Sequence, residues 1–288
     1  MNLLLASLGF GLVTAAVLAI AAVGFTMQFA VTDVLNLAYG AVMIIGAYVG
    51  YVINQHGISV WLGVVAATVV GALLSLGLNR GVYTPFQRRG ASPIAMVIVS
   101  LGMTLVLEFG LQSYVGGNTM SYRIDAGATV RLGGLQLTVV QLVIIGLSIV
   151  TMLSVHTLLR FTKLGKAMRA TAADRPLARA CGIRTDRVVT TTWLISGALC
   201  GVGGAVFAMD AGSFGATSTD LFLVLILAAV FLGGPGQAYG AMLGALVIGV
   251  GTEISAAYLT PAYKDVVAFV LLLVMLAVRP TGLLGSRS

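Results

Sequence analysis

Long apolar runs, interrupted by short polar segments, extend along almost the whole chain. A helix needs about 20 mostly apolar residues to cross roughly 30 Å of hydrocarbon. The candidate runs are Leu3–Val31, Val34–Ile53, Val60–Leu78, Ile94–Val115, Leu137–Leu159, Val188–Met209, Leu221–Gly233, Gly240–Leu259 and Val266–Val278. Because Leu221–Gly233 and Val266–Val278 are short for a full crossing, the pattern predicts either eight or nine transmembrane helices.

These runs are helical in character, because they are apolar on every face. Membrane β-strands instead alternate apolar and polar residues over about ten positions. The 37 glycines of the chain also suit membrane helices, in which small residues let two backbones approach closely. The pattern therefore predicts an all-α, polytopic helical membrane protein in which residues 1–288 form a single transmembrane domain.

Composition excludes a water-soluble protein. Hydrophobic residues make up 59% of the chain and charged residues 9%, and the mean hydropathy is +1.04. Soluble domains carry roughly 25% charged residues. The first run lacks the basic start and the small-residue cleavage site of a signal peptide, so it is expected to remain as a span.

Lysine and arginine placement predicts the orientation in the membrane. Most of the basic residues cluster in three places, which are Arg80 with Arg88 and Arg89, the segment 160–187 with a net charge of +6, and Arg279 with Arg287. The positive-inside rule places all three in the cytoplasm. Nine crossings satisfy this with the N-terminus outside, whereas eight require a re-entrant segment. The same rule accounts for the formal net charge of +7, so nucleic-acid binding is not expected.

The sequence offers little chemistry for a cofactor. Cys181 and Cys200 lie in or beside the segment predicted to be cytoplasmic, and no disulfide is expected in that reducing compartment. His56 and His156 have no metal-ligating neighbours at suitable spacing. No catalytic residue, metal site or cofactor is predicted.

The basic segment 160–187 contains the most informative pattern. Lys166–Ala173 is composed of good helix formers, Pro176 can open a second short helix, and Gly182 can end it. A basic helix pair of this kind can dock a partner protein. The alternative is a plain loop whose charges only set the orientation.

This segment resembles the coupling loop of ABC-importer permeases, in particular the LivH-type subunits of branched-chain amino-acid importers. In that family a stretch of the form G-x-A-x-R-A-x-A-x-D contacts the ATPase. The matching residues are Gly165 through Asp174, followed by Ala178 and Gly182-Ile183. Other stretches also resemble the sequence of this family. They are Leu35–Ala41, in which Leu37 stands where the family has Phe and Tyr39 where it has His, then Gly240–Ala245 followed by Glu253, and Arg279–Gly285.

The resemblance implies the ABC importer permease fold and a multi-pass protein of the bacterial plasma (inner) membrane. It implies a second homologous permease subunit, so a heterodimer, together with two cytoplasmic ATPase subunits and an extracytoplasmic solute-binding protein. The ATPase-coupling residues would be Gly165, Arg169, Asp174 and Gly182. The sequence itself contains no G-x-x-x-x-G-K-[ST] phosphate loop, so ATP hydrolysis is expected in separate subunits and the chain is not predicted to be an enzyme.

A second candidate site lies before the second apolar run. Asp33 and Asn36 precede a helix start that contains Tyr39 and Gly40, and either polar residue can cap that helix. Alternatively, the break exposes backbone donors that suit a substrate carboxylate. Tyr39 then offers a hydroxyl to a zwitterion, or it anchors the helix at the membrane interface.

Other breaks and charges extend this predicted substrate pathway. Gly233–Gln237 interrupts the second half of the chain around Gly236 and is either a pathway element or a simple cytoplasmic turn. Glu108 and Glu253 lie inside apolar runs, where a carboxyl group is costly and carries a functional role by default. Each is expected either to line the pathway or bridge helices, or to be hydrogen-bonded to nearby Ser or Gly backbone.

Two further features leave alternatives open. Ala38–Ala41 and Ala238–Ala241 share the letters AYGA, and repeats of this kind frame the binding sites of transporters, although chance similarity is the alternative. Within the importer class, a urea or short-chain amide permease is the runner-up to an amino-acid permease. Outside that class, the intramembrane carboxylates keep an ion-coupled secondary transporter open, and a membrane scaffold is a third possibility.

Overall fold

The structure is a computed structural model that describes residues 2–124, 129–132, 135–259, 263–278 and 282–284. It is almost entirely helical. The helices are α1 Asn2–Thr32, α2 Tyr39–Gln55, α3 Val60–Leu78, α4 Thr84–Arg88, α5 Pro93–Val115, α6 Val139–Phe161, α7 Lys163–Ala173, α8 Arg175–Ala180, α9 Thr185–Ala211, α10 Thr219–Gly233, α11 Ala238–Tyr258 and α12 Lys264–Val278. The C-terminal basic residues Arg279 and Arg287, predicted to face the cytoplasm, lie outside the described residues.

Six described helices are long and apolar enough to cross a membrane. Five of them are α1, α5, α6, α9 and α11, and the sixth is α3 together with α4, which continues it. Helices α10 and α12 have 15 residues each, which corresponds to about 22 Å at 1.5 Å per residue. The expectation that these two spans are short is confirmed. The continuous span predicted for Val34–Ile53 is wrong, because the helix starts only at Tyr39.

Helices α1 and α9 form the centre of the bundle. Helix α1 contacts α6, α9, α10 and α11, and helix α9 also contacts α2 and α3. Small residues make these contacts close: a Cβ atom at Gly201 would collide with the Ala67 carbonyl of α3, and one at Gly204 would collide with the Met43 carbonyl of α2. The abundant glycine therefore serves close helix packing, as expected for membrane helices.

The two ends of the bundle differ in chemistry. Arg80, Arg88 and Arg89 lie at the same end as α7 and α8, here called the basic end, and a π-helical turn, Asn79–Tyr83, joins α3 to α4 there. At the opposite end, β1 (Thr129–Leu132) pairs antiparallel with β2 (Leu135–Thr138). Phe214 there exchanges backbone hydrogen bonds with Met120 and packs against aromatic side chains of the neighbouring segments.

Candidate functional site

The first candidate site is an interruption between α1 and α2. Residues 33–38 are not helical, and Asp33 has φ +54, which makes it the one non-glycine residue with positive φ in the described part of the chain. Its amide donates to the Phe29 carbonyl at 2.9 Å, so Asp33 closes α1 in a left-handed C-terminal cap. The predicted capping of α2 is not observed, because Ala38 occupies the cap position and offers no side-chain hydrogen bond.

Tyr39 shows where α2 begins. Its side chain is 2% exposed, and its hydroxyl donates to the Ala21 carbonyl at 3.1 Å and approaches the Ser196 carbonyl at 3.4 Å. Ala21 and Ser196 lie near the middle of α1 and α9. Helix α2 therefore begins near mid-depth of the bundle, and Tyr39 joins central helices and is not an interface anchor.

Buried side chains from other parts of the chain hold the non-helical segment 33–38 in place. The Tyr83 hydroxyl donates to Asn36 Oδ1 at 2.6 Å, and the Ser100 hydroxyl donates to the Leu35 carbonyl at 3.2 Å. Non-helical backbone at membrane depth is tolerated only where protein buries it or where it lines a water-filled cavity. The break is thus a built feature of the fold, which the chain stabilises with specific polar contacts.

Two carboxyl groups lie near the start of α2. Thr219, the first residue of α10, donates to the Gly40 carbonyl at 3.0 Å, and the carboxyl group of the next residue, Asp220, lies near that of Glu108. Glu108 is 4% exposed, and its Oε1 atom has no hydrogen-bond partner among the described residues. The expected hydrogen bond from Glu108 to nearby backbone is therefore not what the structure shows.

Glu253 has a different environment. Its Oε1 atom accepts a hydrogen bond from Thr14 at 3.0 Å and forms an ion pair with Lys264. Glu253 therefore joins α1, α11 and α12, which matches the helix-bridging alternative. Lys264 is absent from the sequence-based predictions. Its position at the end opposite the basic end departs from the positive-inside pattern, but Arg123 departs from it in the same way, so the pattern gave no specific signal for Lys264.

The second candidate site is the corner between α6 and α7. Gly165 is buried there, and a Cβ atom on it would collide with the carbonyl oxygens of Leu158 and Leu159. Arg169 is exposed, and its Nη1 atom donates to the Leu159 carbonyl at 2.7 Å. Since a helix leaves its last carbonyls without partners, Arg169 caps α6 and keeps α7 folded against it.

The remaining residues predicted to couple to an ATPase shape α8. Asp174 Oδ1 accepts from the Leu177 amide at 2.9 Å and so caps the start of the helix. Gly182 has φ +83, and bonds from Gly182 N to Arg179 O and from Ile183 N to Ala178 O form a Schellman ending. The two short helices predicted in this segment, the second opened by Pro176 and ended by Gly182, are confirmed. All four predicted coupling residues hold the helix pair in shape.

Gly236 lies beside Ala30 at the end of α1, three residues before Asp33. Its turn joins α10 to α11 at the basic end, and it lines a small cavity of about 110 Å³ together with Arg169 and the end of α1. The AYGA repeat does not produce equivalent positions, because Tyr39 is buried whereas Tyr239 is 41% exposed and hydrogen-bonded to His156. The structure thus brings Asn36, Tyr39 and Gly40 together near mid-depth and places Gly236 beside α7.

Comparison with known proteins gives consistent matches over nearly the whole chain. Residues 7–276 match the family described as branched-chain amino acid transport system / permease component. The chain is 31% identical over 281 residues to the high-affinity branched-chain amino acid transport system permease protein LivH of Escherichia coli K12, covering 93% of this chain and 91% of that protein. It is 27% identical to the corresponding protein BraD of Pseudomonas aeruginosa, covering 96% and 94%.

More distant matches concern a second permease and a solved structure. The chain is 25% identical to the Escherichia coli permease protein LivM, covering 91% of this chain and 66% of that protein. It also resembles a chain of PsaBC from Streptococcus pneumoniae in complex with Fab, with a TM-score of 0.53, 14% identity, and coverage of 94% and 91%. At that identity the likeness concerns the fold alone.

Proposed function

The chain belongs to the permease family of branched-chain amino acid transport systems, and we propose that it forms part of the passage of an ATP-driven importer for these amino acids. It is a multi-pass plasma-membrane protein, and members of this family are transport components and not catalytic subunits. The named substrates of its relatives, LivH and BraD, support branched-chain amino acids as the transported solutes.

The energy for transport would come from separate ATPase subunits. The chain has no phosphate-binding loop of its own, so an ATP-driven mechanism requires another polypeptide. We propose that α7 and α8 face the cytoplasm and receive the movement of that ATPase. The observation that carries this proposal is the close-packed corner at Gly165 and Arg169, because a displacement of α7 would be passed to the end of α6.

A second permease subunit and a solute-binding protein would complete the importer. In Escherichia coli both LivH and LivM are named as permease proteins of a high-affinity branched-chain system, which supports a heterodimer for this chain. Delivery by an extracytoplasmic binding protein would allow the permease to act as a low-affinity passage. Selectivity would then reside mainly in the binding protein.

The start of α2 is the proposed contact point for the passing solute. An amino acid carries an ammonium and a carboxylate, which need partners of opposite charge or polarity when they leave water. Glu108 and Asp220 suit the ammonium group, and the amide groups at the uncapped start of α2, near Gly40, suit the carboxylate. Asn36 and Tyr39 would hold this start in place.

Reconstitution tests the proposed energy coupling. The complex that co-purifies with the chain is placed in proteoliposomes, and ATP hydrolysis and leucine uptake are measured with a leucine-loaded binding protein. Uptake should require ATP, and Arg169→Ala should lower uptake more than basal ATP hydrolysis. Uptake driven by an ion gradient without any ATPase subunit would refute the proposal, and an absence of flux in every assembly would favour a scaffold.

Competition and substitution test the substrate class. Unlabelled leucine, isoleucine and valine should reduce leucine uptake, whereas urea and acetamide should not. Glu108→Gln should lower uptake while ATP hydrolysis remains, with Gln112→Glu on the same helix as a control for charge placement. Competition by urea or acetamide alone would select an amide permease of the same importer class.

A further inference from the structure

A large cavity at the basic end has no role in the proposed function. It has a volume of about 750 Å³ and lies between the end of the α3–α4 span and the α8–α9 junction. Its lining includes Arg80 and Arg88 on one side, Arg175 and Arg179 on the other, and Asp186. Val189 and Thr190, in the second turn of the membrane helix α9, close it toward the bundle interior.

The charges of the cavity are unbalanced. Four arginines and one aspartate amount to a formal net charge of +3. Asp186 pairs with Arg179 at 2.8 Å and with Arg175 at 3.5 Å. In the part of the chain that the structure describes, Arg80 and Arg88 have no ion-pair partner, and the buried Nε atom of Arg175 has no hydrogen-bond acceptor. Unpaired guanidinium groups around one cavity favour an anion with several acceptor oxygens.

The surroundings indicate which anion has access. Arg80 lies two turns beyond Leu73 on the α3–α4 span, and Thr190 lies one turn before Leu194 on α9. Leu73 is 59% exposed and Leu194 is 40% exposed, so the walls of the cavity continue into apolar surface of the membrane helices. A ligand with a phosphate group at one end and hydrocarbon at the other matches both parts. Basic pockets between transmembrane helices are a known form of lipid headgroup site.

We propose that this cavity binds the phosphate headgroup of an anionic phospholipid from the leaflet at the basic end. The headgroup phosphate bridges Arg80 and Arg88 to the α8 arginines, and the acyl chains lie along the exposed apolar surface of α3 and α9. A bound lipid thereby connects the α3–α4 end to α8. The site requires only a membrane location and does not depend on which solute is transported.

Native mass spectrometry tests the site. The chain is purified in mild detergent with the subunits that accompany it, phosphatidylglycerol or phosphatidylcholine is added, and the lipids retained per chain are counted. Phosphatidylglycerol should be retained in preference to phosphatidylcholine. Arg80→Gln and Arg88→Gln should each weaken its retention about fivefold, which corresponds to about 1 kcal/mol for one arginine near an anionic surface.

Arg89→Gln is the matched control, because Arg89 is exposed beside Arg88 but does not line the cavity. It should leave retention within about twofold, and Arg80→Lys, which keeps the charge, should retain more lipid than Arg80→Gln. Equal retention in Arg80→Gln, Arg88→Gln and Arg89→Gln would overturn the proposal, because the lipid would then be annular. If Arg80→Gln or Arg88→Gln released the accompanying ATPase subunits while lipid retention stayed unchanged, the proposal would also be overturned. The cavity would then be assigned to the binding of a protein segment.

Discussion

Substitution of Asp174 separates two roles that this residue can have in coupling. Its carboxylate caps α8 through the Leu177 amide at 2.9 Å, and its exposed position also allows direct contact with an ATPase. Asp174→Ala removes both the cap and the charge. Asp174→Asn removes only the charge, since asparagine caps a helix about as well as aspartate.

If Asp174 acts only by keeping α8 folded, the loss of ATPase affinity follows from the energy of the cap alone. Loss of an N-cap costs about 1 kcal/mol, and α8 has only six residues, so its folded fraction is sensitive to such a change. That energy corresponds to about a fivefold factor in an equilibrium constant. Asp174→Ala should therefore weaken ATPase binding by at most about fivefold, and Asp174→Asn should stay within about twofold of the wild type.

Titration of the ATPase subunit provides the measurement. The permease carrying each substitution is reconstituted in nanodiscs, and the apparent dissociation constant of the purified ATPase is determined at constant salt. A similar and large loss of affinity in both variants would refute the capping argument. It would show that the charge of Asp174 acts on the partner directly.

Three further predictions concern packing, charge compensation and orientation. Gly201→Ala should lower the free energy of unfolding of the purified protein by about 1–3 kcal/mol, because the added methyl group overpacks against α3. Gly102→Ala is the control: its methyl group meets open space, so this variant should be neutral or slightly stabilising. Equal stabilities of the two variants in thermal unfolding would contradict the close-packing argument. Glu253→Gln and Lys264→Met should each lower the free energy of unfolding by about 2 kcal/mol, which is below the range for fully buried pairs because Lys264 is partly exposed. The double variant should lose less than the sum of the two single losses. Strictly additive losses in thermal unfolding would show that the pair is not coupled. A membrane-impermeant maleimide should label the exposed Cys181 in inside-out vesicles and not in right-side-out vesicles, with the Cys181→Ser variant as control; labelling only in right-side-out vesicles would reverse the proposed orientation.

Much of the fold is predictable from the sequence, because hydrophobic length is a local property. A helix that crosses hydrocarbon must satisfy its own backbone, so the long apolar runs had to be helices. The bounds of α5, α9 and α11 differ from the predicted runs by three residues or fewer at each end. The short helices α7 and α8 were also predictable, since Pro176 and Gly182 mark a start and an end through local backbone geometry.

The hydrophobic pattern alone could not predict the non-helical segment before α2. Val34–Ile53 reads as one apolar run, yet residues 33–38 are not helical. The contacts that hold them come from Tyr83 and Ser100, which are distant along the chain. The sequence therefore pointed to Asn36 and Tyr39 as unusual, but it contained no signal for the partners that stabilise an interrupted helix.

The sequence by itself determined that this is a helical membrane protein with a short basic helix pair, because composition, hydrophobic period and helix-end signals are local properties of the chain. Only the tertiary structure decided which charges meet. Glu253 is compensated by Lys264 eleven residues later, while Glu108 faces Asp220 across two helices. The arginines of α3–α4 and α8 share one cavity for the same reason. Electrostatic energy depends on distance in space, and helix packing sets that distance independently of separation along the chain.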